Sequence, residues 1–115
     1  MLIDGGAVNP LPLDHLAGMA AAVVAIDVTG GPSRPPTTSP DTPPGPWDAM
    51  FGTVQILQAT IVAEKLIRFP PDILIRPNVD LFRVLDFQQA SVIFRLAVPA
   101  RDELKRALAA LLERL

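Results

Sequence analysis

Short unbroken apolar runs alternate along the chain with stretches in which apolar residues recur at helical spacing. Residues 1–3 and 20–28 carry such runs, the second containing Val23-Val24-Ala25-Ile26. Runs of this length bounded by turn formers predict strands buried on both faces. Asp4-Gly5-Gly6 ends the first of them. Between the two, Pro12 suits the first turn of a short helix reaching about Met19, because proline there loses no needed hydrogen bond. Strand, helix and strand in this order predict a parallel α/β unit with a right-handed crossover.

Residues 29–46 break the pattern. Prolines at 32, 35, 36, 40, 43, 44 and 46 forbid a helix and remove strand donors, so a long loop or linker is expected. Asp48 then reads as the N-cap of a helix running to about Arg68. Met50, Val54, Leu57 and Ile61 fall at helical spacing, and Ile56, Val62 and Leu66 widen the apolar face, which suits a helix packed on a sheet.

Residues 71–77, Pro-Asp-Ile-Leu-Ile-Arg-Pro, read as a short strand near a sheet edge. Asp86 is placed to cap a helix over 88–96. A last helix from Pro99 carries Leu104, Leu108, Leu111 and Leu115 on one face, with Asp102 and Arg106 at (i, i+4) spacing.

Composition narrows the function classes. A chain of 115 residues is one domain at most, and 50% hydrophobic residues argue against disorder of the whole. A formal net charge of −2 leaves no electrostatic footprint for nucleic acid. Without cysteine there are no disulfides and no thiolate metal sites. No secretory signal fits the first residues. Nor does any unbroken apolar run reach the ~18 residues of a membrane span, so a soluble domain with no transmembrane segment is expected.

The candidate chemistry lies in Asp4-Gly5-Gly6. A carboxylate at a strand end, followed by two residues without side chains, stands at the rim of a sheet. The glycines give the backbone access to positive φ and leave a neighbouring nucleophile room to approach. Asp-Gly alone is also an ordinary turn.

The longer stretch Asp4-Gly5-Gly6-Ala7-Val8-Asn9-Pro10-Leu11-Pro12, followed by Val23-Val24-Ala25-Ile26-Asp27-Val28, resembles the Asp-Gly-Gly/Ala region of patatin-like phospholipases. Pro71-Asp72-Ile73-Leu74-Ile75-Arg76-Pro77, then Val84-Leu85-Asp86-Phe87, is similar to that family's last strand and closing helix. The resemblance covers essentially the whole chain, in order. It implies a partial patatin-like α/β fold: the C-terminal strands of a mostly parallel sheet with flanking helices.

It also implies a function. Asp4 matches the aspartate that acts as general base in a serine–aspartate dyad, with Gly5, Gly6 and Asn9 supporting the turn. Pro10 stands where many members have a second Asn. The substrates implied are acyl esters of glycerolipids, with no cofactor and no metal, in the cytoplasm and peripheral to a membrane. The nucleophile of the family lies in Gly-x-Ser-x-Gly and its oxyanion donors in a separate Gly-rich loop, and neither motif occurs here. The serines are Ser33, Ser39 and Ser91; Gly31-Pro32-Ser33-Arg34-Pro35 is a near miss, because Pro35 and Pro36 prevent the helix an elbow requires. The chain is therefore expected to be inactive alone and to need a complementing N-terminal half. A truncated, split or mis-started gene is the expected origin.

Other residues have plainer readings. His15, the single histidine, is expected in a surface or packing role. Asp27 ends a strand; a second acid/base or metal-binding carboxylate is the alternative. Trp47 is expected to anchor the loop before the helix, with contact to lipid as the alternative. Two rival readings of the whole stay open: a non-catalytic remnant that binds a partner through a bare sheet edge, and a small independent α/β domain with a coincidental Asp-Gly-Gly.

Overall fold

The computed structural model describes residues 4–29, 43, 45–79 and 87–114. A two-stranded parallel sheet lies at its centre, formed by β1 (Val24–Ile26) and β2 (Ile73–Ile75) in the register Val24↔Ile73, Ala25↔Leu74 and Ile26↔Ile75. Between them in sequence runs a 23-residue helix, α1 (Pro46–Arg68). After β2 come α2 (Ala90–Leu96) and α3 (Val98–Leu112). Two short 3-10 turns, Gly5–Ala7 and Leu13–Leu16, precede β1.

Alternation along the strands sends side chains to opposite faces, and a helix covers each face. On one, Ala25 is buried with Leu11, Leu13 and Val62, and Val23, Leu66, Phe69 and Leu74 pack around them. On the other, Ile73 and Ile75 meet Leu111 of α3, with Leu104, Ala107 and Leu108 alongside. The arrangement is an α/β sandwich of helix, sheet and helix.

Several sequence expectations need correction. The run at 20–28 forms only a three-residue strand, and it is not buried on both faces: Val24 is 37% and Ile26 49% exposed. These two side chains share the face that α3 covers, but α3 sits over β2 and leaves β1 open. The helix expected from Pro12 to Met19 is the shorter 3-10 turn Leu13–Leu16, with Pro12 as its N-cap; Gly18, at φ 74°, takes a conformation that L residues avoid and that does not continue a helix. The strand expected at 1–3 and the caps and closing segment expected at 84–86 lie outside the described residues, as does most of the loop at 29–46.

At α1, Gly45 is the N-cap and Pro46 opens the helix, so Asp48 lies inside the first turn. Proline at the first position is preorganised for helix and needs no donor, which moves the start ahead of the aspartate. Asp48 instead places negative charge near the helix N-terminus, where the backbone dipole favours it. Nor is the broad apolar face of α1 buried along its length. Val62 is 2% exposed, yet Met50, Val54, Ile56 and Leu57 lie between 42 and 58%. Among the described residues the sheet is two strands wide, and the core on this face meets the C-terminal half of the helix, at Val62 and Leu66. Near the C-terminus of the chain, Asp102 is bonded by its neighbour Arg101, whose terminal nitrogen lies 2.9 Å away, rather than by Arg106.

Candidate functional site

Asp4 opens the chain's first turn. Its backbone adopts φ −57°, ψ 130°, and its carboxylate Oδ1 accepts a 2.7 Å hydrogen bond from the Gly6 amide, capping the 3-10 turn Gly5–Ala7. The carbonyl of Asp4 accepts from Ala7, and that of Gly5 from both Val8 and Asn9. The carboxylate is exposed, and no described residue donates to Oδ2. Among the described residues, one oxygen of this carboxylate is therefore fixed by the turn and the other is open.

The glycines act by smallness and not by handedness. Among the described residues the one positive-φ glycine is Gly18, so the positive φ expected of Gly5 and Gly6 is absent. A right-handed 3-10 turn needs no left-handed residue. What Gly6 supplies is space: a Cβ there would stand 3.2 Å from Asp4 Oδ1 and 3.6 Å from Gln58 Nε2.

Two tethers join this turn and its sequel to α1. Gln58 Nε2 donates to the Gly6 carbonyl at 2.9 Å. Further along the helix, the Lys65 ammonium pairs with the Asp14 carboxylate, which also accepts from Asn9 Nδ2 at 3.3 Å. The Lys65 hydrogen bond is the main reason the Asp14 carboxyl lies below its ordinary range, helped by Asn9 and opposed by desolvation. Asn9 thus supports the turn through its backbone, by bonding Gly5, while its side chain reaches forward to Asp14. The Asn9 Oδ1 is buried and has no hydrogen-bond partner among the described residues.

Asp27, 8% exposed, is the other conspicuous carboxylate. Oδ1 accepts from the hydroxyl and the amide of Thr29, and Oδ2 from Arg76 Nε at 3.1 Å. Burial pushes this carboxyl up, but Thr29 and Arg76 together outweigh it and hold it below the ordinary range. Its backbone N–H donates to Ile75 at 2.9 Å, so Asp27 locks the ends of the two strands together. It is a structural residue. Among the described residues no group of His, Cys, Asp and Glu could hold a metal ion.

The remaining candidates are dispersed. His15 lies exposed in the turn Leu13–Leu16. Trp47 belongs to α1 and is 72% exposed; most of the segment it is expected to anchor lies outside the described residues. Ser91 is exposed on α2, while Ser33 and Ser39 lie outside the described residues. Sequence reasoning missed Gln58, Asp14 and Lys65. One signal was available: Gln58 and Lys65 are seven positions apart, two helical turns, and so share a face of α1.

No family model matches the chain, and no curated protein or solved structure does.

Proposed function

We propose that this chain is the C-terminal, aspartate-bearing portion of a patatin-like acyl hydrolase that cleaves carboxylic esters of glycerolipids. The observation that carries the reading is the Asp4 turn: an exposed carboxylate on a two-glycine turn, one oxygen bonded and the other open, fastened to a long helix. The parallel α/β arrangement with a helix on each face agrees with it.

In the reaction, a serine supplied by another segment loses its proton to the open oxygen of Asp4 as its Oγ attacks the ester carbonyl. The tetrahedral intermediate collapses to an acyl-serine, and the proton leaves with the alcohol. Water then attacks the acyl-serine, Asp4 again takes the proton, and the fatty acid departs as the serine regains its hydrogen. Oxyanion donors from a second loop stabilise both intermediates. The chain has neither partner motif, so Asp4 alone does not turn over an ester.

A second reading, an interaction module without catalysis, is favoured by α1. From Ala49 to Ala63 the helix carries no charged residue, and its length and apolar composition suffice to cross a membrane. Against a membrane span stands the packing of Val62 and Leu66 on the sheet. Complementation separates the readings. Mixing or fusing the chain with the Gly-x-Ser-x-Gly half of a patatin-like hydrolase should yield hydrolysis of p-nitrophenyl and phospholipid esters. Stable association with no turnover would support the module instead.

A further inference from the structure

We propose that Gln58 is a positioning residue for Asp4: from the middle of α1, its side-chain amide holds the peptide that in turn holds the carboxylate. The inference rests on the acyl-hydrolase reading for its catalytic meaning and on geometry for its existence.

The two hydrogen bonds share one residue. Gly6 donates its N–H to Asp4 Oδ1 at 2.7 Å and accepts from Gln58 Nε2 at 2.9 Å through its carbonyl. Both groups also converge on the space where a Gly6 Cβ would stand. The turn has no buried residue, so apolar packing does not hold it in place. Local backbone bonds shape it but leave it free to swing as a unit. Gln58 supplies the direct bond from the turn to α1; the Asn9–Asp14–Lys65 tether acts several residues downstream.

The surroundings of Gln58 point the same way. It is half-buried in the charge-free part of α1, between Leu57 and Ala59 and within a turn of Val54, Ile61 and Val62. The two threonines of this stretch fold their hydroxyls back onto helix carbonyls, Thr53 onto Ala49 and Thr60 onto Ile56. Gln58 instead sends its amide across to a residue 52 positions away. A polar group placed there must be bonded or its burial is costly, and the partner it has is the Asp4 turn.

The consequence is kinetic. Displacing a catalytic group by about 1 Å costs on the order of 10²-fold in rate. A residue that acts only by holding the Asp4 turn should, when lost, lower kcat and leave KM unchanged.

The test uses the chain joined to a serine-bearing half, with Gln58→Leu, Gln58→Lys, Asp4→Asn and the double variant Gln58→Leu/Asp4→Asn. Leucine keeps the bulk and removes the donor; lysine restores a donor able to reach the carbonyl. Gln58→Leu should reduce kcat roughly 10- to 100-fold at constant KM, and Gln58→Lys should recover most of it. In the Asp4→Asn background Gln58→Leu should cost nothing more, because a residue that acts through Asp4 has nothing left to position. Additive losses, or a loss carried by KM, overturn the proposal.

A second measurement does not depend on turnover. In amide spectra of the 115-residue chain, Gln58→Leu should move the Gly5, Gly6 and Ala7 signals toward their random-coil positions while those of β2 and α3 stay fixed. Gln58→Lys should return them. A Gly6 amide unmoved by Gln58→Leu overturns the clamp, whether or not the joined protein hydrolyses esters. If the clamp is present but no ester is cleaved with Asp4 intact, the hydrolase reading fails and the positioning of the turn stands.

Discussion

Asp72 and Val23 grip each other from both sides: the Val23 amide donates to Asp72 Oδ2 at 2.7 Å, and the Asp72 amide donates to the Val23 carbonyl at 2.9 Å. This pair closes the parallel ladder at the start of the strands. Asp27, with Thr29 and Arg76, closes it at the other end. A sheet of three paired positions is thus held at both ends by carboxylates, where a wider sheet would have more strands.

Removing the second closure should be costly and pH-dependent. Asp27→Ala leaves the Thr29 donors without their partner at a half-buried site and should destabilise the chain by ~1–2 kcal/mol at neutral pH. Arg76, which is largely exposed, adds little because water screens it. The folded Asp27 carboxyl lies below its ordinary value, so its contribution is fully present above the unfolded value of about 3.9. The contribution fades as pH falls through the lower folded value. Chemical denaturation of wild type and Asp27→Ala at pH 7 and below pH 4 checks this; a gap that widens on acidification would contradict it.

The halves of α1 should respond differently to the same substitution. Val62 is 2% exposed and packs with Leu11, Leu13 and Ala25, so Val62→Ala should cost ~1.5–3 kcal/mol. Val54, 42% exposed, should tolerate alanine within about 0.5 kcal/mol. Equal losses would mean that something covers the N-terminal half of the helix.

On its own the chain should self-associate. β1 pairs with β2 along one edge, its other edge is open among the described residues, and Val24 and Ile26 are exposed beside it. Exposed Met50, Phe51, Ile56 and Leu57 add further apolar surface on α1, which packs on the opposite face of the sheet. Unpaired edges and large apolar patches promote association. Sedimentation velocity should show oligomers that grow with concentration, whereas a monodisperse monomer with a sharp cooperative melt would indicate an independent domain.

The sequence was most legible where one residue pattern had one partner. Leu104, Leu108 and Leu111 announced the face of α3 that covers Ile73 and Ile75, and proline-bracketed 71–77 announced β2. It was least legible where burial depends on how much sheet exists. The stripe on α1 reads as continuous, yet nothing in the periodicity tells that, among the described residues, half of it is left uncovered. Helix entry misled for a local reason, since Asp48 has good capping chemistry but Gly45-Pro46 begins the helix first. At the site, Asp4-Gly5-Gly6 was legible as a turn, and only the longer stretch around it made Asp4 a candidate. Gln58 was not legible, because its meaning comes from a contact 52 positions away.

The isolated chain should show no serine-dependent esterase activity. It has no Gly-x-Ser-x-Gly, and Ser91 sits exposed on α2 with no carboxylate bonded to it among the described residues. Turnover of a p-nitrophenyl ester, blocked by a fluorophosphonate that labels the chain, would contradict this.

The central claim is that Asp4 performs chemistry, and the rate of the joined protein carrying Asp4→Asn tests it most directly. Asparagine keeps the size and the hydrogen bond from Gly6 but cannot take a proton. General-base catalysis is worth ~10²–10⁴-fold, so turnover should fall by at least that order with the melting temperature nearly unchanged. His15→Ala, measured beside it, should retain most activity, because the proposed dyad gives that exposed imidazole no role. An active Asp4→Asn with a dead His15→Ala would contradict the account and leave Asp4 as a turn residue.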